Sequence, residues 1–285
     1  MMHLRVISPS ETTEEVLSYL VAEPAVANLV VHRGAAVDPA GDVVIADVAR
    51  ESANEVLREL KAMGLDRNGS IALDAVGVAL SSRGSEAEKA APGAGDDAVV
   101  WEEIEQRTGE ESRLSVTFLL FLSIATVIAG IGVLLDQPIL IVGAMVVGPE
   151  FGPLAALSVG VIRRRPRVIG RSLLALTVGF AVAIVVTVLS TLALNAGGLV
   201  TREMLLGARP LTDFIWRPDA LSWVIAFLAG IAGILSLTTA KSGALIGVLI
   251  SVTTVPAAGN VAVAIAYGVP DEAWGSALQL GINLG

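Results

Sequence analysis

The chain has 285 residues, 54% of them hydrophobic, with a mean hydropathy of +0.72 and a formal net charge of −9. Soluble domains are about 45–50% apolar, so the average is membrane-like, but the charge is divided: residues 1–113 hold 10 Lys+Arg and 21 Asp+Glu, and residues 114–285 hold 9 and 7. The acidic first half excludes a nucleic-acid face, which has to be basic, and the lack of cysteine excludes disulfides, thiol nucleophiles and thiolate metal sites.

His3–Ile7 alternates apolar and polar residues and is predicted as a strand. Ser8-Pro9-Ser10 starts a helix to about Ala22, with Glu11, Glu14 and Glu15 in its first turn favouring the helix dipole. Ala25–His32 and Asp42–Ala49 are predicted strands around an Asp38-Pro39-Ala40-Gly41 turn. Glu51–Met63 carries Val56, Leu57 and Leu60 on one face and is closed by Gly64; Ser70–Gly77 is a fourth strand. The order βαββαβ is the ferredoxin-like pattern, so residues 1–80 are expected as a soluble α+β ferredoxin-like domain. His3 and His32 have no cysteine or carboxylate cluster at ligand spacing, so they read as plain strand histidines, and no metal or cofactor is expected. Met1–Ser10 lacks the apolar stretch of a signal peptide, which predicts a cytoplasmic location for this domain. Residues 81–98 read as a flexible linker. Val99–Arg113 reads as a connecting helix with Glu102, Glu103 and Glu105 exposed.

From residue 114 the chain reads as an α-helical polytopic membrane domain. Leu114–Leu135 is a first span of 22 residues without a charge, and Asp136-Gln137-Pro138 a tight turn. Ile139–Ile162 is a second span. An arginine cluster follows, Arg163-Arg164-Arg165-Pro166-Arg167 with Arg171 close behind, and then a third span at Ser172–Leu194. Leu221–Ala240 and Ser242–Pro270 are predicted as the fourth and fifth spans, and Ala273–Gly285 as the start of a sixth that the chain does not finish. Basic loops stay in the cytoplasm. The arginine cluster and Lys241 therefore place the amino-terminal domain inside and Asp136 and Asp271-Glu272 outside, in a bacterial inner membrane; a lipid-headgroup site is the other reading of the cluster. The neutral loop 195–220 is expected outside, packed on the bundle. Gly130, Gly132, Gly230 and Gly233 form small-residue faces that point to homo-oligomers.

Glu150 stands in the middle of the second span, between Pro149 and Pro153. A carboxylate at mid-membrane depth is costly and should face the bundle interior or a wet cavity. Each proline removes a backbone donor and clashes with the carbonyl four residues back. Pro149 should free the Met145 carbonyl and Pro153 that of Pro149, giving two kinks. A second segment repeats the pattern: Gly143-Ala144 to Gly152-Pro153 is matched by Gly243-Ala244 to Pro256-Ala257-Ala258-Gly259. Each lies in the second span of a three-span unit, so the units are inverted, and paired Pro/Gly-broken helices in inverted repeats point to a transport site. Pro256 should free the Val252 carbonyl, with the hydroxyls of Thr253 and Thr254 and the Asn260 amide beside it. The candidate substrate or ion site is therefore Glu150, Met145, Pro149, Gly152, Pro153, Val252, Thr253, Thr254, Pro256, Gly259 and Asn260. The competing reading is a buried protonated acid that holds the bundle together.

Ile141 to Leu154, Ala208-Arg209-Pro210-Leu211-Thr212-Asp213 and Gly247–Asn260 resemble the bacterial "uncharacterised hydrophobic domain" family, domain of unknown function 389. The resemblance runs from about residue 114 to the end and implies a polytopic membrane domain, often behind a soluble amino-terminal one. Members often have an apolar residue in place of Glu150 and Pro-Pro in place of Val255-Pro256.

Two functions are expected from this pattern. One is a transporter or channel for a small solute or ion, in which Glu150 binds a cation or carries a coupling proton. The other is a membrane-anchored sensor whose soluble domain binds a small ligand or a partner. No enzyme is expected. There is no Ser/His pair, no His-rich motif and no second membrane carboxylate near Glu150, and Gly64-x-x-x-x-Gly69-Ser70 lacks the phosphate-binding lysine.

Overall fold

The computed structural model describes residues 1–77, 80–93, 98–238 and 254–284 and divides the chain into two compact units, the first ending at Ile104. The first unit contains β1 (Met2–Ser8), α1 (Thr13–Ala22), β2 (Val26–Val37), β3 (Ala40–Val48), α2 (Ala53–Ala62), a single turn α3 (Leu65–Asn68), β4 (Ser70–Ala75) and α4 (Ser82–Ala90). Its strands form one antiparallel sheet in the order β2-β3-β1-β4. The alternation of β1 explains the layering: Leu4 and Val6 are buried while His3 and Arg5 face away. Leu4, Val6, Val44 and Val48 pack against Val16 and Leu20 of α1 and Val56 and Leu60 of α2. Burying each of these side chains stabilises the unit by about 1.5–3 kcal/mol. Gly64, at φ 78, ends α2 in the left-handed region that glycine enters without a Cβ penalty.

Two local expectations change. β2 continues past His32 to Val37, because Val37 pairs with Ala40 and leaves only Asp38-Pro39 at the hairpin tip. The Asp42 carboxylate enforces this longer pairing: it accepts from Gly34 N at 2.7 Å and from Arg33 Nη1 at 3.1 Å. The Gly34 amide, then the Thr13 hydroxyl, hold its carboxyl below the ordinary aspartate value. Inside the segment expected as a linker, Ser82–Ala90 is helical, because Ser81 Oγ accepts from Gly84 N and caps the first turn.

The second unit is helical. α5 (Trp101–Glu111) leads into it, and Glu105 pairs with Arg163 at 2.7 Å and Arg165 at 3.7 Å. α6 (Val116–Leu134) is capped by Ser115, whose hydroxyl accepts from Phe118 N. α7 (Pro138–Val147) and α8 (Phe151–Ile162) are separated by a break and bent by 57°. α9 (Pro166–Ala196) starts with proline at its first position and draws Arg167 and Arg171 into its opening turns. α10 (Arg202–Leu206), α11 (Ala220–Thr238), α12 (Thr254–Tyr267) and α13 (Pro270–Leu284) complete the unit. Among the described residues, α6 and α9 are long and apolar enough to cross a bilayer, and the bent pair α7–α8 makes a third if it is one span. The expected fourth and fifth spans run into residues 239–253, outside the described set. Inside it they leave the apolar helices Ala220–Leu235 and Thr254–Tyr267. The last helix starts at Pro270 and so takes Asp271 and Glu272 out of the loop where they were expected.

α12 is the centre of this unit. Every residue from Thr254 to Ala264 is buried, and α6, α7, α9 and α13 pack around it. A helix buried on all sides needs small side chains for close neighbours. A Cβ on Gly259 would sit 2.9 Å from Gly130 N and 3.0 Å from Thr126 O. Gly130 and Gly132 therefore do not form a free oligomer face: Gly130 abuts Val263 and Thr187, and Gly132 abuts Leu140 and Ile141.

Candidate functional site

Glu150 lies in the break between α7 and α8, at the N-cap of α8, with 0% of its surface exposed. α7 ends at Val147, Gly148 is extended (φ −65, ψ 128), and the chain turns back into helix at Phe151. A Cβ on Gly148 would overlap the Glu150 carboxylate, so the break depends on a glycine beneath the acid. Thr254 Oγ1, at the start of the described part of α12, donates to Glu150 Oε1 at 2.9 Å.

The prolines act differently from each other. Pro149 falls inside the break, where the helix has already ended. Pro153 falls in the first turn of α8, where a backbone N–H has no helical partner anyway, so it adds no second kink. The expected pair of kinks is one break.

The remaining candidates separate. Met145 is 4% exposed and packs among Val133, Ile141, Ala257 and Val263. Gly152 is buried in the first turn of α8. Pro256 is buried in α12, and Gly259 is the contact of α12 with α6. Val252 and Thr253 lie outside the described residues, as does the Gly243-Ala244 half of the sequence repeat. Asn260 is fully buried but joins a second centre, six residues beyond Thr254 or about 9 Å along α12.

That second centre was not visible in the sequence. Asn260 Nδ2 donates to Glu272 Oε1 at 3.1 Å and to Ser276 Oγ at 2.7 Å. Arg209 Nη2 donates to the same Glu272 oxygen, in an ion pair whose side chains are 4% and 5% exposed. Glu272, Ser276 and Gln279 are buried at i, i+4 and i+7 along α13. The loop that brings in Arg209 is pinned by Asp136, which accepts from Thr212 Oγ1 at 2.9 Å and from Leu211 N at 3.2 Å. Both Arg209 and Glu272 read in the sequence as loop charges. The only available signals were the 3.6-residue spacing of Glu272, Ser276 and Gln279 and the Arg-Pro-Leu-Thr-Asp run.

The interior of the helical unit also keeps polar side chains: Thr126, Thr187 and Thr191 are all buried. Thr126 Oγ1 donates to Leu122 O at 2.7 Å, a helix-internal bond. A half-open apolar groove of about 700 Å³ runs between α8, α11 and α13, lined by Phe151, Leu154, Trp223, Phe227 and Leu284 among others. It starts beside Glu150, at Phe151, but the acid is not part of its wall.

Residues 145–285 match the family model described as Domain of unknown function (DUF389), which takes in the break, Glu150 and all of the second centre except Asp136. An uncharacterized protein of Methanocaldococcus jannaschii is 26% identical over 186 residues, 65% of this chain and 55% of that relative. The chain thus spans about half the length of the curated relative it matches. No solved structure matches.

Proposed function

Because the chain belongs, through residues 145–285, to the DUF389 family, whose description assigns no activity, we propose from its own site that it is an integral membrane protein that transports or conducts a small solute or ion. The observation that carries this reading is Glu150: a fully buried carboxyl at a helix break, bonded by Thr254 of a central helix. Ionisable groups inside a membrane bundle are costly and are kept where they bind or relay charge. Broken helices are where such bundles expose backbone to a cargo. Glu150 takes a cation or a coupling proton, and Thr254 holds the carboxyl in place. The repeat of Gly-Ala and Pro-x-x-Gly segments supports two inverted three-span halves.

The arginine cluster at 163–171 supports a multi-pass topology in the inner (cytoplasmic) membrane with the amino-terminal unit on the cytoplasmic side. Strand order β2-β3-β1-β4 with all neighbours antiparallel supports a ferredoxin-like reading of that unit. Gly230, with open space around it, is available for a second copy.

Flux in proteoliposomes across a pH gradient, wild type against Glu150→Gln, tests the proposal with a panel of ions and small solutes. Proton-linked flux that Glu150→Gln abolishes is the expected result. Flux that ignores Glu150 makes the acid structural, and no flux from folded, oriented protein removes the transport reading. A second reading, a membrane-anchored sensor, is favoured by the amino-terminal unit having a core of its own. It predicts that the full chain binds a metabolite that a chain with a disrupted first unit does not.

A further inference from the structure

We propose that the Arg209 centre binds a small anion that carries an O–H or N–H donor of its own, such as hydrogen phosphate or a hydroxy or amino carboxylate. The proposal rests on the transport reading for its purpose but not for its test. Arg209 is 3% exposed, and the guanidinium has five N–H donors. Nη2 is on Glu272, whereas Nε and Nη1 have no hydrogen-bond partner among the described residues. Burial of unmet charged donors is expensive, so such groups are kept where something else satisfies them.

An unmet acceptor lies beside it: Asn260 Oδ1, on a side chain with 0% exposure that shares Glu272 with Arg209, also lacks a partner among the described residues. Asn260 cannot turn its amide to Arg209 without giving up its two bonds to Glu272 and Ser276. Glu272 Oε1 already accepts from both Arg209 and Asn260. The unmet set at the centre is therefore two cationic donors and one amide acceptor. A halide satisfies only the donors. An anion with its own hydrogen-bond donor satisfies both. The site is also built: the Asp136 bonds to Leu211 and Thr212 hold the loop, and Thr212 N and Asp213 N close on Arg209 O at 3.1 and 2.9 Å.

The test is thermal unfolding of the full chain in neutral detergent and methanesulfonate buffer, whose anion carries no hydrogen-bond donor, with inorganic phosphate, glycolate or glycine as probes and chloride as the comparison. The expected result is a rise in Tm of about 5 °C at saturation for at least one probe and a much smaller one for chloride. The neutral pair Arg209→Gln/Glu272→Gln, which leaves no lone charge, should lose that rise. Glu150→Gln should keep it. No probe shifting Tm, a shift that survives in the neutral pair, or chloride matching the best probe would each overturn the proposal. Binding at Arg209 with no flux would overturn the transport reading alone, and flux without binding would overturn this one alone.

Discussion

Thr254 Oγ1 donates to Glu150 Oε1 at 2.9 Å, joining two segments 104 positions apart in a region where neither side chain reaches solvent. Hydroxyl and carboxylate are each other's replacement for water. Thr254→Val, which keeps the shape and removes the donor, should therefore destabilise the helical unit by about 1–3 kcal/mol. Thr254→Ser should recover most of it. Chemical or thermal unfolding in detergent measures both, and an unaltered Thr254→Val protein would mean that the bond contributes nothing to the fold.

The Arg209–Glu272 pair makes a sharper prediction. Removing one partner leaves a buried, uncompensated charge, which costs about 3–5 kcal/mol. Arg209→Gln or Glu272→Gln alone should thus lower stability strongly, and the double variant should regain at least half of the loss. A double variant as unstable as the sum of the singles would mean the two side chains act independently.

Gly259 tests the packing of α12 on α6. A methyl group there meets Gly130 N, the Ala129 side chain and Thr126 O, each at about 3.0 Å or less. Gly259→Ala should cost about 1–3 kcal/mol through overpacking, despite alanine's better helix propensity. Gly230→Ala, where nothing lies within 4 Å, should be neutral or slightly stabilising, and the difference in Tm between the two variants is the readout.

Asp42 sets a pH dependence in the first unit. The folded state depresses its carboxyl through the Gly34 amide and the Thr13 hydroxyl. A depressed carboxyl contributes stability that is complete above the unfolded value, about 3.9, and is lost as pH falls through the lower folded value. Protection of the β2–β3 amides, taken against the intrinsic exchange rate at each pH, should therefore fall between about pH 4 and lower values. In Asp42→Asn that fall should be absent, with lower protection already at neutral pH.

How far the sequence led depended on whether a residue's environment is local. The alternation at His3–Ile7, the helix stop at Gly64 and the long apolar runs depend on neighbours in the chain, and the strands and helices follow them. Even the break at Glu150 is local, since Pro149 and Gly148 end α7 wherever it packs. The effect of Pro153 is not local, because it depends on position within a helix that only exists once the break is placed. Ser81 caps a helix inside a segment whose composition is that of a linker, so one good side-chain acceptor decides against the average. Arg209 and Glu272 were beyond reach, because a charge near an apolar run looks like a loop residue until a loop 63 positions away folds onto it. Asn260 is expected beside Glu150 but bonds Glu272 and Ser276, because sequence spacing does not tell which face of α12 meets which neighbour.

The central helix has one more consequence. Its small, enclosed side chains make it a thin rod, held at one place by Glu150 and at another by Glu272. Sliding such a rod by a single residue moves it about 1.5 Å and turns it about 100°, enough to unseat Thr254 and Asn260 in the same stroke. The two acids thus bond to one mechanical part, so a screw motion of that helix disturbs both bonds together.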